Sequence, residues 1–75
     1  MLQALGRVAR EARLAKGLRQ IDIATAAGVS HGAISRVERG VSWPKDPDLI
    51  VAAYERECGL IEDEIWRRAV RMGSP

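Results

Sequence analysis

Seventy-five residues with no Phe, two Trp and one Tyr suit a single small domain, whose modest core leaves little room for a deep catalytic pocket. One cysteine, Cys58, and one histidine, His31, exclude an intramolecular disulfide and a zinc site built from this chain alone. No stretch is apolar and long enough to span a membrane, and none has the form of a signal peptide, so the expected setting is soluble, reducing and cytoplasmic.

The first predicted helix runs from about Leu2 to Lys16. Leu5, Val8, Ala9 and Ala12 form its apolar stripe, and Arg7, Arg10 and Lys16 its wet face. Gly6 inside it costs roughly 1 kcal/mol relative to Ala, which points either to a loose first turn or to close packing. Lys16 suits the helix dipole, Gly17 ends the helix and Leu18 anchors the connection.

Residues 20–40 read as two short helices joined by a tight turn. The first spans about Gln20 to Ala27, with Ile23, Ala24 and Ala27 on one face. Gly28 stops it and Val29 plugs the turn. Ser30 is a good N-cap for the next helix, which carries Ile34 and Val37 inward and stops at Gly40. The outer face holds His31, Gly32, Ser35, Arg36 and Arg39. A narrow apolar stripe under a small, hydrogen-bonding outer face suits a DNA major groove. Arg19, ahead of the first of these helices, cannot accept a hydrogen bond, so a cap worth about 1 kcal/mol is lost there. It is either a phosphate contact or a solvated arginine.

After Gly40, Pro44 favours an extended Trp43, whose ring is expected to pack on the core or on the end of the third helix rather than to bind a ligand. Asp46 as N-cap and Pro47 at the first helical position start a fourth helix. It carries Ile50, Val51, Tyr54 and Cys58 and ends at Gly59. The fifth is expected over about 61–72. Glu62, Asp63 and Glu64 fall in its first turn and Arg67, Arg68 and Arg71 towards its end, with residues 72–75 a frayed tail. The fold class is therefore all-α: a compact five-helix bundle, one domain over residues 1–75.

Charge is unevenly placed. Residues 1–45 hold eight Lys/Arg against three acids, a net +5, and residues 46–75 four Arg against seven acids, a net −3. A basic half beside an acidic half suggests a polyanion at one end.

Gln20, Ile23-Ala24, Ala27-Gly28-Val29-Ser30 and the run Ile34 to Gly40 resemble the helix-turn-helix of the lambda repressor/Cro-like (XRE) family. Arg13 and Gly17-Leu18 before this segment and Tyr54 to Leu60 after it extend the resemblance over most of the chain. It implies that His31, Gly32, Ser35 and Arg36 face base edges, with Arg36 the best placed for guanine; the other reading of Arg36 is an ion pair with a nearby acid. It implies phosphate contacts from Arg19, Gln20, Arg39, Ser42 and Lys45. It also implies a buried ion pair between Arg13 and Glu38. Three features depart from the family pattern: Arg19 stands where Thr or Ser is usual, Gly32 has no side chain to read with, and the loop after Gly40 is longer by two or three residues.

Catalysis has little to work with. No carboxylate lies at helical spacing from His31, the consecutive acids Glu62, Asp63 and Glu64 fan around a helix, and no phosphate-binding loop is present. No enzyme activity, cofactor, metal or small-molecule ligand is expected. The resemblance implies a sequence-specific DNA-binding regulator, usually a repressor, whose partners are double-stranded DNA and a second copy of the chain. The alternative is a coactivator-like or antirepressor interaction module on the same scaffold. The expected dimer patch is a stripe of Trp66, Val70 and Met72 on the fifth helix. Two other uses of that stripe remain open: Trp66 folds over its own subunit, or the stripe docks on a further domain of a longer chain.

Overall fold

The computed structural model describes residues 2–43 and 46–73, and these form five helices: α1 (Leu2–Ala15), α2 (Gln20–Ala27), α3 (His31–Glu38), α4 (Pro47–Cys58) and α5 (Glu64–Gly73). The first four stop by one device. A glycine (Gly17, Gly28, Gly40 or Gly59) takes φ near +70°, and the N–H of the next residue reaches back five positions: Leu18 to the Arg13 carbonyl, Val29 to Ala24, Val41 to Arg36, Leu60 to Glu55. Only glycine enters the left-handed region at low cost, and the reach-back bond satisfies a carbonyl the helix has orphaned. The residue after the glycine is apolar each time. Leu18, Val29 and Leu60 pack on the core, while Val41 is exposed.

The core gathers the apolar stripes of all five helices. Leu5, Val8, Ala9 and Ala12 of α1 meet Ile23 and Ala24 of α2, Ile34 and Val37 of α3, Ile50, Val51, Ala53, Tyr54 and Cys58 of α4, and Ile65 and Ala69 of α5. Helix α1 packs on α5, α3 and α4, and α2 packs on both α3 and α4. Gly6 marks the tightest crossing. A Cβ there would stand 2.2 Å from the Val37 carbonyl oxygen, so the glycine lets α1 rest directly on the end of α3. Of the two readings of Gly6, close packing is the one realised.

Three expectations about helix ends need correction. Asp46 precedes α4, but its side chain makes no cap bond; Pro47 alone carries the start signal. Helix α5 begins at Glu64, three residues later than expected. Ile61 is exposed, Asp63 takes φ +67°, and the Glu64 carboxylate accepts the Ile61 N–H at 3.2 Å. That local turn takes Glu62 and Asp63 out of the helix, leaving Glu64 as the acid of its first turn. At the other end α5 continues through Met72 and Gly73, where a frayed tail was expected. Pro44, Lys45, Ser74 and Pro75 lie outside the described residues. Among the described residues no helix is long and apolar enough to cross a membrane.

Candidate nucleic-acid interface

Helix α3 is held by a buried ionic knot at its last residue. Arg13 grips Glu38 with two parallel bonds, Nε to Oε2 at 2.8 Å and Nη2 to Oε1 at 2.9 Å, while its Nη1 donates to the Leu18 carbonyl at 2.9 Å. The Tyr54 hydroxyl donates to Glu38 Oε2 at 2.5 Å, and Gln20 Nε2 donates to Oε1 at 3.1 Å. Burial pushes the Glu38 carboxyl up, but hydrogen bonds from Arg13, Tyr54 and Gln20 outweigh it and hold the group below the ordinary carboxylate range. Burial, then the bond to Glu38, drives the Tyr54 phenol up. The bond to Glu38 raises Arg13 in turn. Four helices therefore converge on one carboxylate: α1 through Arg13, α2 through Gln20, α3 through Glu38 itself and α4 through Tyr54.

The knot reaches the surface through Gln20. Its Oε1 lies 2.9 Å from His31 Nε2, so the first residue of α3 is tied to the first residue of α2 and through it to the core. Ser30 caps α3 as expected, with its Oγ accepting the Ala33 N–H at 3.1 Å. His31, Gly32 and Arg36 are exposed, and Ser35 is half-buried on the same helix. Gly32 contributes space. A Cβ there would lie 3.4 Å from Arg36 Nη1, so the guanidinium extends back over the glycine towards the start of the helix. No carboxylate among the described residues pairs with Arg36, so its donors are available to a ligand. Trp43 packs on the core and lines a cleft of about 110 Å³ with Ala33, Arg36 and Ser42.

The residues expected at phosphates are placed less uniformly. Arg19 is exposed and pairs with Asp22, Nη2 to Oδ1 at 3.0 Å. Hydrogen bonding to Asp22 raises the arginine and lowers the acid. Asp22 also accepts the Arg19 backbone N–H at 2.7 Å. That restores one half of a capping box at a helix start whose residue cannot cap. Gln20 spends one amide hydrogen on Glu38 and keeps the second. Arg39 is exposed, with Nε donating to the Ser35 carbonyl at 3.3 Å. Ser42 is exposed, and Lys45 lies outside the described residues. Sequence reasoning missed Arg7 and Arg10. With Gln3 and Arg39 they line a cleft of about 370 Å³ that Glu38 also borders, which concentrates positive charge where α1 meets the end of α3. The signal was present in Gly6, whose close approach brings that face of α1 onto α3.

Helix α5 divides its apolar residues between two faces. Trp66 is half-buried against the core and shares a groove of about 450 Å³ with Arg67, Val70 and Arg71. Met72 stands apart from that stripe. It lines a different cleft, with Gln3, Ala4 and Arg7 of α1, because residues 66 and 70 lie a full turn apart whereas 72 is rotated well off their row. Cys58 is buried and its thiol is pushed up by that burial, so it fills the core. Among the described residues no cluster of His, Cys, Asp or Glu could hold a metal.

The geometry is that of a capped, exposed helix presenting His31, Ser35 and Arg36, set by α2 and anchored by an ion pair beneath it. A helix-turn-helix family model matches residues 10–53, from within α1 to the middle of α4, and so covers the two helices, their turn and the buried pair. A search of curated proteins finds no match. The chain belongs to the lambda repressor/Cro-like (XRE) helix-turn-helix family of DNA-binding regulators.

Proposed function

We propose that the protein is a sequence-specific transcriptional repressor that occludes a promoter as a dimer on a two-fold operator. In this reading α3 enters the major groove and Arg36 donates to the O6 and N7 of a guanine. His31 and Ser35 supply shorter contacts beside it, and Gly32 lets backbone approach the bases. Arg19, Gln20, Arg39, Ser42 and Lys45 hold phosphates and set the register of the helix, with Arg7 and Arg10 adding to the positive field.

The observation that carries the reading is the exposed Arg36, with which no carboxylate among the described residues pairs, on a helix whose orientation is locked by the Arg13–Glu38 pair. A reading helix must be held rigidly for a one-ångström difference in base edges to matter. One short recognition helix contacts too few base pairs to select a site against a genome of competitors, and a two-fold pair roughly doubles the contacts. The Trp66, Arg67, Val70 and Arg71 groove of α5 is the proposed dimer contact, since Trp is enriched in interface hot spots.

Titrating the protein against duplex DNA across a salt series tests the DNA reading. A phosphate-contacting surface gives an affinity that falls steeply and log-linearly with salt, with slope about −0.9 per phosphate neutralised. A flat, weak response would instead favour an interaction module on the same scaffold.

A further inference from the structure

The bonds between Glu38, Gln20 and His31 form a chain in which each polarity dictates the next. Glu38 is gripped by the always-charged Arg13 through two bonds and is a carboxylate, which can only accept. Gln20 must therefore turn its NH₂ towards Glu38, as it does at 3.1 Å, and its carbonyl towards His31. A carbonyl oxygen also only accepts, so the ring nitrogen 2.9 Å away, His31 Nε2, carries the hydrogen. A neutral imidazole has one N–H and one acceptor nitrogen. We infer that the Glu38–Gln20 link fixes exposed His31 as its Nε2–H tautomer, leaving Nδ1 as an acceptor that reads the exocyclic amine of an adenine or cytosine in the major groove.

This rests on the DNA-reading function proposed above and adds a specificity to it. Adenine N6 and cytosine N4 are the major-groove donors, whereas guanine O6 and N7 and thymine O4 are acceptors. An acceptor nitrogen would meet those as lone pair against lone pair. The two longest side chains on the reading face thus have opposite polarity: Arg36 offers only donors and His31 only an acceptor. Gln20 becomes a positioning residue for specificity as well as a phosphate contact. Its loss would free His31 to present either nitrogen.

The test first selects bound duplexes from a random pool, at mildly alkaline pH where imidazole is neutral. Comparing wild type with His31→Ala then finds the base pair whose preference depends on His31. At that pair the amine is removed by placing purine for adenine, or 2-pyrimidinone for cytosine. Wild type should lose about fivefold in affinity, the value of one net hydrogen bond. His31→Ala should lose nothing further, and Gln20→Leu, whose imidazole can present either nitrogen, should lose less than wild type. Removing instead the acceptor oxygen of the opposing thymine or guanine should leave wild type unchanged. Loss on acceptor removal, indifference to amine removal, or undiminished amine sensitivity in Gln20→Leu would each overturn the assignment. Selection that keeps an Arg36-dependent guanine but shows no His31-dependent pair overturns it alone, whereas failure of wild type to select any sequence overturns the proposed function.

Discussion

At the scale of single residues, Glu38 is the position on which both stability and readout turn. Its partners come from three other helices, and removing one member of a buried pair strands the other charge at a cost of about 3–5 kcal/mol. Glu38→Ala should therefore lower the melting temperature by well over 10 °C in a domain this size; a shift of a degree or two in calorimetry would contradict the burial. The pair also has a pH signature. The folded-state carboxyl lies below its ordinary value of 4.5, so the unfolded chain takes up this proton first. The stability it contributes is present above about pH 4.5 and is lost as pH falls below that value. Wild type should lose stability steeply in that window, and Glu38→Gln, less stable at neutral pH, should show a flatter profile there. Gly6 offers a test with a reversed sign. Helix propensity alone makes Gly6→Ala stabilising by about 1 kcal/mol. The 2.2 Å approach to the Val37 carbonyl makes it destabilising, by about 1–3 kcal/mol of overpacking. The Arg13–Glu38 pair could be expected from the sequence through the family resemblance, which implies it at these two positions. The bonds of Gln20 to Glu38 and His31 could not, since they depend on how α2 packs on α3.

At the scale of elements, the glycine stops were legible because a left-handed φ has few alternatives in sequence. The start of α5 was not, because Ile61 to Asp63 continue a helical pattern of apolar and acidic residues. A local turn closed by Glu64 outcompetes that pattern, with Asp63 tolerating the positive φ that few other non-glycine residues accept. Helix α2 shows the converse case. Its missing cap was visible at Arg19, whereas the substitute was not: the Asp22 carboxylate accepts the Arg19 N–H and pairs with the guanidinium. Asp22 then competes with phosphate for Arg19. Asp22→Asn keeps an acceptor for the N–H and removes the charge. Binding to all duplexes alike should tighten, with a salt slope steeper by about one. Unchanged affinity and slope would place Arg19 off the DNA.

At the scale of the whole molecule, the basic amino-terminal part and the acidic carboxy-terminal part were evident from residue counts, but the surfaces they build were not. The positive cleft arises from Arg7, Arg10 and Arg39, which are distant in sequence and meet only where α1 lies on α3. The α5 stripe resolved into two faces for the same reason, with Trp66 and Val70 on one groove and Met72 beside α1. If the Trp66 groove is the dimer contact, sedimentation equilibrium at tens of micromolar should show wild type as a dimer and Trp66→Ala as a monomer. Two equally monomeric proteins would leave pairing to the DNA. The central claim is that α3, held by the Glu38 knot, reads sequence through Arg36. Its most direct test is the affinity of wild type and Arg36→Ala for a selected duplex and for a scrambled one at a fixed salt concentration. Wild type should prefer the selected duplex by about 10³-fold or more, and Arg36→Ala should lose about 1–3 kcal/mol on that duplex alone. Equal losses on both duplexes would contradict the claim and reduce Arg36 to a phosphate contact.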